Sequence, residues 1–286
     1  MRPETTDIDD RAIILSFTDP YYTNVGVIFG DSGYIYVLDT FVGTKPMAQV
    51  KKAIAEHGCG DTPRLVFNSH ADYDHYWGNS SFHSALILAH ELTRQRIAAE
   101  SVQALVQYKE MVRGTVDIVP PTVTFSKMIT FHEDGVTFFH SPGHTSDSSS
   151  ALDVIAKVLF VGDNVESPYP YVNDLNFPEY ITTLKHYLEM EWDWLVAGHD
   201  PVMKDDSLIF ANIEYLEALS SWSLDIEDMR SEEFHRHLHN LETLAPILVQ
   251  EGCDESAVRH YREALSIVES QPKNERFIPA LKRVCQ

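Results

Sequence analysis

The punctuation of the first two hundred residues limits the fold more than any other feature. From "AIILSF" onward, short β-branched and aromatic runs end in turn residues, and helical stretches stand between some of them. "NVGVIF" and "YIYVLDT" flank "GDSG" (Gly30 to Gly33), which reads as a β-hairpin. Thr44 and Pro46 cap and open a helix through "MAQVKKAIAEH" that stops at Gly58. "RLVFN" reads as a strand, "ELTRQRIAAESVQALVQ" as a helix, "TVTF" and "MITFHEDGVTFFH" as strands, and "SALDVIAKVLFVGD" as a hairpin. Asn176 and Pro178 open a helix over "PEYITTLKHYLEM", and a short strand follows in "WDWLVAGHD". This order predicts an α/β body with mixed sheets.

After Pro201 the pattern changes to helical spacing of Leu, Ile and Ala, over Ser207 to Met229, Ser231 to Gln250 and Asp254 to Ser270. The expected organisation is an α/β domain over 1–205 and a helical C-terminal extension over 206–286. Three amphipathic helices must bury their apolar faces, as a lid, against a second copy of the chain in a homodimer, or both.

Composition narrows the function classes. With 286 residues, 44% of them hydrophobic, the chain can bury a large core. A formal charge of -21, from 43 acidic and 22 basic residues, repels a phosphate backbone, so no nucleic-acid partner is expected. Cys59, Cys253 and Cys285 are odd in number and scattered, as suits free thiols in a reducing compartment. "MRPETTDIDDR" has no apolar core of a signal peptide, and no apolar run approaches the roughly 18 residues that a membrane span needs. These features predict a cytoplasmic protein with no membrane partner.

The strand "RLVFN" runs into "FNSHADYDHYWGN", which places His70, Asp72, Asp74 and His75 within six residues. Singly, such residues at the end of a strand hydrogen-bond or face water. However, His144, Asp163 and His199 each follow another apolar strand in the same way. Loops at strand ends converge on one rim of a sheet, where sites are built. Seven imidazole and carboxylate groups suffice for two divalent metals with a shared water or hydroxide.

These motifs resemble the metallo-β-lactamase superfamily. "HADYDH" is similar to its HxHxDH signature, "SPGHTSDS" to its PGHT loop, "FVGD" to its strand bearing a bridging aspartate and "VAGHD" to its final GH. The resemblance covers about residues 12 to 202 in the right order and includes the leading hairpin with Asp39. It implies an αββα sandwich with a metal site along one edge. It places His70, Asp72 and His144 on a first metal, Asp74, His75 and His199 on a second, and Asp163 between them. Asp72 stands where the family has a histidine; flavodiiron oxygen reductases carry a glutamate there and use iron. Two divalent ions are therefore expected, zinc first, with iron or manganese as alternatives.

The expected function is a dinuclear metallohydrolase in which metal-bound hydroxide attacks an ester, lactone or thioester of a small-molecule substrate. Asp74 is the candidate catalytic residue, orienting the water or accepting its proton. One rival is a di-iron redox enzyme resembling the flavodiiron metal domain, although the chain beyond His199 reads as helices rather than a flavodoxin-like module. Another is a ligand-sensing member of the fold without turnover.

His83, His90, His132, His140 and His186 lie outside the motifs and read as surface or hydrogen-bonded histidines. In "FHRHLHN" only His235 and His239 share a helix face, and a solvated face is expected. The loop "SPYPYVNDLNF" reads equally as a Pro-rich connection or a substrate-pocket wall. Tyr73 and Trp77 suit packing as well as substrate contact.

Overall fold

β-Branched runs do form the strands. The computed structural model describes residues 2–286. A seven-stranded sheet runs in chain order: β1 (Glu4–Ile8), β2 (Ala12–Phe17), β3 (Thr23–Phe29), β4 (Ile35–Leu38), β5 (Arg64–Phe67), β6 (Leu86–His90) and β7 (Val123–Phe125). The first four pair antiparallel, and β4 to β7 are parallel. Parallel neighbours need crossovers. These are supplied by α1 (Thr44–Glu56), the single turn α2 (Tyr73–Tyr76) and α3 (Glu91–Gln107).

A five-stranded sheet follows, with β8 (Met128–Phe131), β9 (Val136–His140), β10 (Ser149–Asp153), β11 (Val158–Gly162) and β12 (Trp194–Ala197) in the spatial order β12-β11-β10-β9-β8. Only β11 and β12 are parallel within it.

Strands β2, β3 and β4 are buried along nearly their whole length because successive side chains serve two different cores. On one face, Ile13, Leu15, Val25, Val27 and Val37 pack with Met47, Val50 and Ile54 of α1 and Ile97 of α3. On the other, Ile14, Ile28, Tyr36 and Leu38 pack with Phe138, Ala151, Phe160 and Val196 of the second sheet. The result is a helix layer, a sheet and a facing sheet, as the sequence resemblance implies.

The chain divides into two units. The first comprises the chain up to Pro142, Ser146–Asp163 and Met190–Asp205, and carries both sheets. The second comprises Gly143–Thr145, Asn164–Glu189 and Asp206–Gln286. It holds α4 (Phe177–Glu189), α5 (Ser207–Ser220), α6 (Ser231–Glu251), α7 (Glu255–Glu269) and α8 (Ile278–Cys285). Among the described residues no helix is long and apolar enough to cross a membrane.

Several sequence expectations need correction. Helix α5 stops at Ser220 rather than Met229, because the Ser221 hydroxyl bonds the carbonyls of Glu217 and Ala218 and Trp222 turns to a φ of 53°. Helix α8 and strands β1 and β6 were not expected from the sequence. Thr44 does not cap α1; its Oγ1 accepts from Thr115 N instead.

Candidate metal centre

Parallel strands present their carboxyl ends to one side, and sites gather there. In the first unit β5 leads into Asn68, Ser69 and His70, β11 into Asp163, and β12 into Gly198 and His199. The turn α2 then carries Asp74 and His75. These connections bring three imidazoles onto one carboxylate oxygen. Asp163 Oδ2 lies 3.6 Å from His70 Nε2, 3.3 Å from His75 Nε2 and 3.3 Å from His199 Nε2. Asp74 completes the second set, with Oδ2 at 3.3 Å from His199 Nε2 and Oδ1 at 3.7 Å from His75 Nε2. The donor atoms of Asp74, His75 and His199 all lie within 4.8 Å of one another, an arrangement that could hold a metal ion.

Each of these imidazoles is pinned at its other nitrogen. His75 Nδ1 is 2.7 Å from Asp39 Oδ2, His199 Nδ1 is 2.8 Å from the Tyr22 carbonyl, and His70 Nδ1 is 3.0 Å from Ser69 Oγ. Asp39 is itself fixed by the amide and hydroxyl of Ser69 at 2.7 Å each. Rings held at Nδ1 in this way turn Nε2 toward the carboxylates, the orientation that ligating histidines adopt. His75 Nε2 is buried and makes no well-directed hydrogen bond. Space for bulk is also withheld, since a Cβ at Gly198 would collide with Asp163 Oδ1. Buried nitrogen and carboxylate donors converging in this way fit divalent metal ions such as zinc.

The electrostatics agree. Burial disfavours the charged form of His75, yet Asp163, Asp39 and Asp74 outweigh it and hold its pKa well above the ordinary imidazole range. His199 is raised likewise against burial, chiefly by Asp163. Burial would raise Asp163, but His199 and His75 hold it well below the usual carboxylate range, and Asp74 is lowered by the same two imidazoles. The carboxylates thus draw positive charge into a buried space.

Asp72 is placed differently from its neighbours. Its side chain is 33% exposed; Oδ2 lies 3.5 Å from His70 Nε2, while Oδ1 accepts from Arg96 at 2.9 Å. Arg96 also binds buried Asp147, whose other oxygen accepts from Ala71 N at 2.9 Å. His144 is buried in the second unit, where its amide donates to Asn164 Oδ1 at 2.9 Å.

The sequence did not single out Tyr21, Ser69, Arg96 or Asp147. Tyr21 donates to Asp74 Oδ2 at 2.8 Å, and its hydroxyl is 2.7 Å from that of Tyr73. The Tyr21 hydroxyl is the donor toward both partners, so its one proton is shared between Asp74 and Tyr73. Tyr73 stacks on Tyr108 with ring centroids 4.3 Å apart, so it bonds and packs together. Asp147 lies in the quoted "SPGHTSDS" and its partner Arg96 in a helical run, a pairing that only the fold reveals. Of the other histidines, His90 is buried and bonded to the Ser126 carbonyl, while His83 and His132 are exposed. On α6, His235 is exposed and His239 half-buried on the face they share, whereas His237 points the other way. It is buried, with Nδ1 3.0 Å from the Tyr215 hydroxyl and Nε2 2.8 Å from His260 Nε2.

Comparison with known proteins gives a consistent picture. A family model, the metallo-β-lactamase superfamily, matches residues 18–199. No curated protein matches the chain. A metallo-β-lactamase from Pontibacter korlensis superposes with a TM-score of 0.59 at 20% identity, covering 76% of this chain and 99% of its own. The DIM-1 metallo-β-lactamase gives a TM-score of 0.60 at 16% identity, over 77% and 99% of the two chains.

Proposed function

Because the chain belongs to the metallo-β-lactamase superfamily, whose members are generally metal-dependent hydrolases, we propose that it hydrolyses an ester, lactone or thioester of a small metabolite at a two-metal centre. The observation that carries this reading is the convergence of three imidazole nitrogens on Asp163 Oδ2. His70, Asp72 and His144 would hold one ion, Asp74, His75 and His199 the other, and Asp163 both. Zinc is the first candidate, with iron or manganese as alternatives.

When bound, such a pair of ions polarises a carbonyl and acidifies water toward a pKa of about 7. The protein's own groups do the rest. Asp74 Oδ1 is not held by Tyr21, so it is the oxygen able to orient a water and take its proton, while Oδ2 is fixed by the Tyr21 hydroxyl. Asp39, Ser69 and the Tyr22 carbonyl hold the histidine rings in place, so little reorganisation is required when charge develops. No serine or cysteine nucleophile is needed.

The test is metal analysis of protein purified without added metal, followed by a panel of esters, lactones and thioesters. A β-lactam joins the panel because the solved neighbours bear the name metallo-β-lactamase. Two metals per chain and turnover of one class that chelation abolishes are expected. At most one metal after reconstitution with excess Zn, Mn or Fe would overturn the reading.

A further inference from the structure

Asn240 on α6 is fully buried, and its carboxamide grips the backbone on both sides of a single residue. Nδ2 donates to the Pro170 carbonyl at 2.9 Å, and Oδ1 accepts from Val172 N at 3.1 Å. One side chain thereby supplies the paired bonds that a neighbouring strand would give. The residue between, Tyr171, has its carbonyl oxygen 3.3 Å from His144 Nδ1. Arg236, also on α6, holds the same segment, donating to the Tyr169 carbonyl at 2.5 Å with its guanidinium 3.7 Å from the Tyr171 ring centroid. His144 is tied to this loop a second time, through Asn173 Nδ2 to its carbonyl at 2.8 Å.

We infer that Asn240 is a positioning residue for His144: by clasping residues 170 and 172 it aims the Tyr171 carbonyl at His144 Nδ1. That nitrogen then carries the proton, and Nε2 is left as the ligating atom. The inference rests on reading His144 as a metal ligand. A carbonyl that holds the second nitrogen of a ligating histidine fixes both tautomer and ring orientation, and its loss typically costs about 10- to 100-fold in metal affinity. Helix α6 on this account sets the geometry of a residue 96 positions earlier in the chain, far beyond the roughly two or three residues that a local cap spans.

Two measurements on the full chain decide it. In long-range proton–nitrogen NMR spectra of zinc-loaded wild type, the His144 signals, identified by their loss in His144→Gln, should show a protonated Nδ1 and a zinc-shifted Nε2. A protonated Nε2 would overturn the proposal. In zinc titrations the wild type should take two ions, and Asn240→Leu should weaken one of them about 10- to 100-fold while leaving the other unchanged. The double variant Asn240→Leu/His144→Gln should lose no more than His144→Gln alone, since the two act on one site. Unchanged affinity at both sites in folded Asn240→Leu would also overturn it; if that variant does not fold, the wild-type spectrum decides. Fewer than two zinc ions in the wild type would bring down the metal reading itself, a failure visible without any variant.

Discussion

Asp72 offers its two oxygens to two different neighbours, His70 on one side and Arg96 on the other. A carboxylate in place of an imidazole would make the proposed first site harder, which would favour oxygen-preferring ions such as manganese or iron over zinc. Asp72→His is therefore expected to shift competition between zinc and manganese toward zinc, as read by metal analysis after equilibration with both. No shift would mean that Asp72 serves Arg96 rather than a metal. Asp74 and His237 form a second contrast at this scale. Asp74→Ala should lower kcat by roughly 10²- to 10⁴-fold, the usual contribution of a positioned base. His237→Gln should act on stability, because His237 lies in the buried chain from Tyr215 to His260. Equal losses of kcat in the two variants would remove Asp74 from its assigned role.

The connection between β2 and β3 works as a unit on Asp74 and His199 of the candidate second site. Tyr21 holds Asp74, the Tyr22 carbonyl holds His199 Nδ1, and Thr23 Oγ1 stands 3.2 Å from the same nitrogen. At the base of β3, Asn24 ties the carbonyls of Ala197 and Asp200 on either side of His199. Tyr21→Phe deletes one hydroxyl and leaves the ring packing on Phe41. A hydrogen bond to a charged group is worth about 1.5–3 kcal/mol. The expected outcome is a roughly tenfold or greater loss of affinity at the second metal, measured against a chromophoric chelator. An unchanged affinity would show that Asp74 needs no such support.

At the scale of the whole molecule, metal and protons compete for the same imidazoles. The folded-state pKa values of His75 and His199 are raised, so in the metal-free protein they add stability fully below the unfolded value of about 6.5 and lose it as pH rises through the folded values. His237 and His260 are lowered by burial, His260 to about 4, so their contribution is present above about 6.5 and is lost in acid. Metal-free protein should thus melt at lower temperature at pH 9 than at pH 7. Metal-loaded protein should not, because bound imidazoles are already deprotonated. At a hundredfold excess over Kd each ion adds about 2.7 kcal/mol, so chelation should lower the melting temperature at either pH. Identical melting curves for the loaded and stripped forms would argue against a structural metal centre.

The sequence by itself determined where most strands end, β1 and β6 excepted, and which imidazole and carboxylate residues follow them. A strand needs only a short β-branched run, and four motifs in order carry the resemblance from residue 12 to 202. The hairpin through "GDSG", helices α1 and α3 and the positions of His70, Asp74, His75, Asp163 and His199 were legible for that reason. What only the tertiary structure decided is which groups stand behind them. Arg96 lies in α3 and Asp147 before β10, and no local pattern links them; the fold does, because α3 follows the strand adjoining β5. Tyr21 lies fifty-three residues before Asp74 and meets it only once β2 and β3 have turned. His237 occupies a helix whose apolar stripe is plain, yet its burial depends on a polar partner from α7 that periodicity does not report. Local propensity is written in neighbouring residues, whereas the partner of a buried polar group is fixed by packing between elements far apart in the chain.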